Sequence, residues 1–321
     1  MEWSVAVFSS RESLQVLSSS IAAILKATRQ TATIIDIILN GNLELANEVA
    51  RHVETIQPVG NKATMIRVWY LPVADKAHSW NEYVHSIQPE SETVFFMDGY
   101  AQVMPDALNL IRDGLSSTPK AIAASGVPSF GRSAASQTEL MVREGGIHGS
   151  LYAVRGSFLQ RVRSADFRLP LGLYRTDGVL GAVISFDLDP AKNDWDTGRI
   201  FVHPQATWKI RPFAARRIAD LRSHFKKVMR QSQGILENLA VREHLAIQRK
   251  TPQSLSRTAA ELVRDWIDGH RSVALMTFLR NPLCMVAAWT LLRSRDWSDA
   301  AVPPRLITNV DLNEKMAARN R

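Results

Sequence analysis

With 321 residues, 45% of them hydrophobic, the chain is long enough for one large α/β domain with an appendage or for two modest domains, and too apolar for general disorder. A single cysteine, Cys284, excludes an internal disulfide and a cysteine-rich metal site, and fits a reducing compartment. The net charge of +8 is unevenly placed: from Phe201 onward there are 21 Lys and Arg against 10 Asp and Glu, and before it 18 against 21. A basic C-terminal part of that kind suits anionic lipid, nucleic acid or a polyphosphate, or is a solvated helical surface.

The opening segment, MEWSVAVFSSRES, has no basic stretch and no long apolar core, so it reads as a first strand over 5–8 and not as a signal peptide. Residues 14–26 carry Leu14, Leu17, Ile21, Ile24 and Leu25 at helical spacing. A second strand over 34–39 ends at Asn40-Gly41-Asn42, and a helix over 44–56 follows. The alternation continues with a strand at 65–69, a helix at 76–87, a strand at 94–97, a helix at 105–115 and a strand at 121–125. Strands alternating with helices over short connections predict a mostly parallel sheet covered on both faces. Chemistry in such a fold collects where strands deliver their carboxyl ends. Asp98 closes the apolar run Val94–Met97, which makes it a candidate for holding a metal-bound phosphate; the alternative is an Asp that caps the next helix.

Between Pro128 and Pro212 the order loosens. Gly145, Gly146 and Gly149 flank His148, a short strand is expected at 151–154, and Asp177 follows a Leu-Pro-Leu-Gly turn. Residues 179–184 read either as a helix start or as a buried strand, and 200–202 as a strand before His203. From about Phe213 the pattern is helical and rich in Arg and Lys: 218–228 and 235–246 as one long or broken helix, and 254–267 as another with Ser254 as N-cap. Residues 272–292 are strongly apolar, but Arg280, Asn281 and Pro282 interrupt them, so they make a poor membrane span. Two readings stay open there. One is a core or partner-facing helix; the other is interfacial membrane contact through Phe278, Leu279, Trp289 and Trp297 beside Arg293 and Arg295. The last ~20 residues, polar and proline-bearing, are expected to be poorly ordered. The expected division is 1–212 and a basic helical region over 213–321.

Taken in order, several of these strand ends and turns resemble glycosyltransferase family 2, the nucleotide-sugar enzymes of the GT-A fold. The resemblance runs from about Trp3 to Pro212. VAVFSSRES matches the first strand and its nucleotide-contacting turn, with Ser9 and Glu12 as candidates, and ILNGN supplies Asn40 toward the base. Asp75–Asn81 is similar to the family's GKAxAxN element at Lys76 and Asn81. The family's Asp-x-Asp is present as Asp98-Gly99-Tyr100, so the second metal-holding carboxylate is a tyrosine. Gly146, His148 and Gly149 match the acceptor-site segment. Thr176-Asp177 stands where the family carries an acidic motif with its general base, leaving Asp177 for that role; the alternative for Asp177 is a helix N-cap. His203 matches a late metal ligand, and Arg211, with Lys209, Arg216 and Arg217, suits the leaving diphosphate.

The resemblance implies a GT-A α/β domain with a C-terminal helical appendage and inverting transfer of one sugar from a UDP- or GDP-sugar to a hydroxyl. The acceptor is a carbohydrate or a lipid-linked precursor, as in surface-polysaccharide or glycolipid synthesis. It also implies a divalent metal (Mg²⁺ or Mn²⁺), weakly bound through Asp98 and His203. An anionic membrane surface is a further expected partner and nucleic acid is not. The expected location is the cytoplasm, peripheral on the inner membrane face. The Gln-x-x-Arg-Trp element of processive synthases is missing, which favours single-sugar transfer. Two rival readings are a catalytically weak nucleotide-sugar-binding scaffold on the same fold and a nucleotidyltransferase. No Walker loop, GxGxxG after the first strand, HExxH or GxSxG is present.

Overall fold

A computed structural model describes residues 2–57, 62–131, 134–210 and 218–319. The chain begins β1 (Trp3–Ser9), α1 (Leu14–Ala27), β2 (Thr33–Asn40), α2 (Leu43–Thr55), β3 (Thr64–Leu71) and α3 (Lys76–Glu82). A π-helical turn, Tyr83–Ile87, extends α3 before β4 (Thr93–Asp98), β5 (Gln102–Val103), α4 (Ala107–Ser117) and β6 (Ala123–Pro128). Then come α5 (Ala134–Glu144), β7 (Leu151–Arg155), α6 (Gly156–Ser164), α7 (Thr176–Ser185) and β8 (Ile200–Lys209). The rest is α8 (Ile218–Arg242), α9 (Ala259–Gly269), α10 (Arg271–Arg280), α11 (Pro282–Leu291), β9 (Arg305–Asp311) and α12 (Leu312–Arg319).

The strands form one sheet in the order β5-β8-β6-β7-β4-β1-β2-β3-β9. From the pairings, β1, β2, β3, β4, β6 and β8 run one way and β5, β7 and β9 the other. The sheet is thus mostly parallel. Its centre, β4-β1-β2, is buried on both faces, which is why those strands read as continuous apolar runs. Strand residues alternate between two cores. Val5, Val7, Phe95 and Met97 pack with α1, α2 and α4, while Phe8, Phe96, Tyr152 and Val154 pack with α3, α6, α7, α8 and α9. The second core is aromatic: Phe96 stacks on Tyr152 at 4.9 Å between centroids, and Trp80, Tyr83 and Phe8 surround it.

Polar residues set the helix starts. Ser13, Asn42 and Asp75 accept from the backbone N–H three residues on, at 3.4, 3.0 and 2.8 Å. The N-cap expected at Ser254 is corrected: α9 begins at Ala259, and Thr258 with Glu261 forms a reciprocal capping box. The segment at 179–184 is helical, as part of α7.

The C-terminal region is helical, and it shares the core of the sheet domain. Leu236, Ala240, Val241, Leu262, Val263 and Trp266 belong to the Phe96 core. The buried Glu237 carboxylate accepts from the Tyr174 and Arg175 N–H groups at 2.9 and 3.0 Å, and so fastens α8 to the loop before α7. The expectation of a poorly ordered tail is also corrected, because β9 pairs antiparallel with β3 from Tyr70–Arg305 to Met65–Asp311.

One buried ion pair ties β2 to β3. Arg67 meets both oxygens of Asp36 at 2.7 and 2.9 Å, and the Trp69 indole N–H donates to the same carboxylate at 2.9 Å. Burial pushes the Asp36 carboxyl above the usual range, against the pull of Arg67. Asp36→Ala should cost about 3–5 kcal/mol because it strands a half-buried guanidinium. Asp36→Ala combined with Arg67→Met should cost less than the single change. Urea unfolding of both variants checks this, and a single variant within about 1 kcal/mol of the parent would count against it.

Candidate active site

The carboxyl ends of β1, β2 and β4 lie side by side, and the polar residues that end them face α3 and the 145–150 loop. Asp98, the last residue of β4, is fully engaged. Its Oδ1 is paired with the Lys76 ammonium, and its Oδ2 accepts from Tyr100 Oη at 2.7 Å and Ser150 Oγ at 3.2 Å. Lys76 is brought there as the first residue of α3. The helix start is fixed by Asp75, which caps α3 with one oxygen and accepts from Gly172 N–H at 3.0 Å with the other. Burial works against the Lys76 charge, but Asp98, then Asp177 and Glu12, outweigh it and hold the ammonium above its ordinary pKa. The Tyr100 hydroxyl is pushed well up, by burial and by Asp98, so it is a donor and not a phenolate.

The other side of the cluster is the 145–150 loop. Gly146 takes φ +129°, a backbone conformation that L side chains rarely adopt, with no atom within 4 Å of where a Cβ would stand. Gly149 faces the cluster: a Cβ there would lie 3.1 Å from Lys76 Nζ and 3.4 Å from Asp177 Oδ2. Its N–H donates to Asp177 Oδ2 at 3.1 Å, and its carbonyl lies 3.4 Å from Lys76 Nζ. Asp177, in the first turn of α7, also accepts from its own Gly178 N–H at 2.9 Å through Oδ1. It stands inside the first turn of α7, whose N-cap is Arg175, so the alternative of an N-cap is not what the structure has, and its Oδ2 faces the cluster. His148 is clamped between Ser125 Oγ, which accepts its N–H at 3.0 Å, and the Trp208 ring 4.8 Å away. Its Nδ1 accepts from Ser150 N–H at 3.2 Å, which leaves the proton of the neutral ring on Nε2. Burial lowers the His148 pKa; Asp177 and Asp98 pull it up and Lys76 pushes it down.

Lys76, Asp98, Asp177, His148, Gly149 and Glu12 thus share one place. Ser9 donates to Glu12 Oε2 at 2.6 Å, and the Ser10 and Arg11 N–H groups reach the same oxygen, so Glu12 shapes the turn after β1. Asn40 donates to Ser79 Oγ at 2.7 Å and has a buried Oδ1 with no partner among the described residues. Asn81 is elsewhere: both ends of its amide are bonded to Leu169, at 2.8 and 2.9 Å, and it lines a separate cavity of about 250 Å³ with His78 and Arg168. His203 sits against the Phe201 ring, which covers Gly114 of α4 on the opposite face of the sheet from Asp98. Arg211, Arg216 and Arg217 lie outside the described residues. Ser150, Ser125 and Glu237 are the participants that sequence reasoning did not single out; Tyr100 was read as the replacement of a carboxylate, and not as a donor to Asp98. Only Glu237 carried a signal, a lone carboxylate in the apolar run Ile235–Ala240.

In overall fold the chain is similar to the mannosyltransferase PcManGT from Pyrobaculum calidifontis, solved in complex with GDP-Man and Mn²⁺. The TM-score is 0.57 at 16% identity, over 100% of this chain and 81% of that one. The chain has the GT-A fold. It is also similar to residues 1–349 of S. aureus TarS in complex with UDP-GlcNAc, with TM-score 0.47 at 12% identity over 92% of this chain and 91% of that one. Neither a protein-family model nor a curated protein matches the sequence.

A divalent ion does not fit the donor set as these residues stand. Hard cations take several oxygen ligands, carboxylates foremost. The second carboxylate of the motif is the neutral phenol Tyr100, and both oxygens of Asp98 are already occupied. His203 is on the other face, and no group of three or more His, Cys, Asp or Glu able to hold a metal occurs among the described residues. The expected site of Asp98 with His203 is corrected accordingly. Tyr100→Asp should raise Mn²⁺ affinity at least tenfold in calorimetry, and unchanged affinity would contradict this account of Tyr100. By NMR, His148 should titrate below the ~6.5 of a free imidazole. Lys76→Met should raise that midpoint, because it removes a positive neighbour; no rise would refute the coupling.

Proposed function

We propose that the chain is a nucleotide-sugar glycosyltransferase that moves one sugar, of the hexosyl type, from a nucleoside-diphosphate sugar to a hydroxyl of a carbohydrate or lipid-linked acceptor, with inversion. The observation that carries this reading is the convergence of Asp177 and of Lys76, itself paired with Asp98, on the Gly149 backbone at the carboxyl ends of a GT-A sheet. The fold shared with PcManGT, solved with GDP-Man, supports a sugar nucleotide as donor.

In this reading Ser9, Glu12 and Asn40 line the nucleotide side, with the unpartnered Asn40 oxygen offered to an N–H of the base. The open Gly146–Gly149 backbone and neutral His148 line the acceptor side. The acceptor hydroxyl oxygen attacks the anomeric carbon and its proton passes to Asp177. The bond from that carbon to the diphosphate oxygen breaks, and its electron pair leaves on the diphosphate. Lys76 is the cation held at this point, paired with Asp98, and its side chain is partly exposed. No step uses a metal.

Asp177→Asn should lower kcat by roughly 10²–10⁴-fold, the range for a positioned acid–base group, with donor Kd nearly unchanged. Loss of one of its two backbone hydrogen bonds should cost only about 1 kcal/mol of stability. Retained kcat in the folded variant would remove Asp177 from the mechanism. A thermal-shift series with UDP, GDP and CTP, with and without Mn²⁺, tests the substrate class, since a ligand that binds only the folded chain raises its melting temperature. Stabilisation by UDP or GDP supports transfer of a sugar. A CTP preference would favour nucleotidyl transfer, and silence would favour a scaffold.

A further inference from the structure

α10 and α11 are packed the wrong way round for core helices. Their inward residues are small: Ala274, Cys284, Ala287 and Ala288 are buried, and Cys284 reaches the Ser232 carbonyl of α8 at 3.7 Å. Their large residues face out. Leu279 is 68% exposed, Trp289 62% and Leu275 59%, and Val273, Met276 and Met285 are about half exposed beside them. Scattered exposed apolar residues are ordinary, but a run of them along two consecutive helices marks a surface that something else covers.

We propose that this face docks on an anionic lipid bilayer, lying in its interface. Charge selects the occupant. Between Arg271 and Arg295 the chain has four arginines, Arg271, Arg280, Arg293 and Arg295, and no Asp, Glu or Lys. All four are exposed around the apolar face. A second copy of the same face would oppose arginine to arginine, whereas anionic headgroups complement them. Two aromatic rings adjoin these arginines. Arg293 lies 3.6 Å over the Trp289 ring and Arg295 4.1 Å over the Trp297 ring, pairs with an apolar body and a charged head. Each helix has 10 residues, about 15 Å of rise against a hydrocarbon core of about 30 Å, and no described helix is long and apolar enough to cross a membrane. Two short helices with exposed apolar side chains and four exposed arginines are thus suited to lie on a bilayer and too short to span it.

The face also adjoins the proposed active site. Arg295 Nη2 donates to the Ala74 carbonyl at 3.4 Å, two residues before Lys76, and the Trp297 ring packs against Gly172, which Asp75 holds. Docking would thus leave the α3 start close to the lipid surface.

The test is co-sedimentation of the full chain with vesicles of phosphatidylcholine alone or mixed with phosphatidylglycerol. Binding should be at least tenfold stronger to the mixed vesicles and should fall as salt rises, since exposed charges are screened beyond about 8 Å at physiological salt. Leu279→Glu together with Trp289→Glu should abolish vesicle binding, and circular dichroism should show the fold intact, as both side chains are exposed. Absent binding, equal binding to both vesicles or an unaffected variant would overturn the proposal. So would a wild-type dimer in gel filtration that the variant converts to monomer, because a second copy would then cover the face.

Discussion

The ion pair between Lys76 and Asp98 is the joint on which the site depends. It links the end of β4 to the start of α3 and sets the polar surface between them. The Asp98 charge recruits the Tyr100 and Ser150 hydroxyls, and the Lys76 ammonium draws in the Gly149 carbonyl. The Asp177 and Glu12 charges lie within electrostatic reach of the same ammonium. A carboxylate cluster of this kind is stable only around a cation. The chain supplies one of its own at the position where the tyrosine in Asp98-Gly99-Tyr100 has weakened the case for an external one.

That joint is held from behind. Asp75 caps α3 and grips Gly172, while Glu237 grips the next turn at Tyr174 and Arg175. The loop that presents Asp177 is therefore pinned from α3 on one side and from α8 on the other. Helix α8 belongs to the region expected to be an appendage, yet it serves as the rear wall of the cluster.

What the sequence showed clearly was what the periodicity of buried strands exposes. Asp98, Ser9 and Asn40 end apolar runs, so their place at the carboxyl edge was readable. Lys76 and Asp177 were readable through the order of the surrounding turns. Residue type did not reveal the face or the partner. Asn81 and His203 are as polar as their neighbours, but Asn81 is bonded to Leu169 and His203 turns toward α4. Helix α5 gave no stripe to read, because Met141 is its only buried residue. The start of α9 was written in Thr258-Ala259-Ala260-Glu261, a capping box that Ser254 obscured. β9 was hidden for another reason: an edge strand half open to solvent needs little alternation, and its partner lies far back in the chain.

That distance bears on how the molecule assembles. β3, over Thr64–Leu71, has no outer neighbour until Arg305–Asp311 is available. At about 5–20 residues per second, a ribosome leaves the outward-facing N–H and C=O groups of β3 uncovered for roughly 10–50 s. During that interval the nascent sheet carries an open template for any other extended chain. The C-terminal strand therefore covers the outer edge of β3 as it completes the sheet, and ribosomal pausing before it lengthens the hazard.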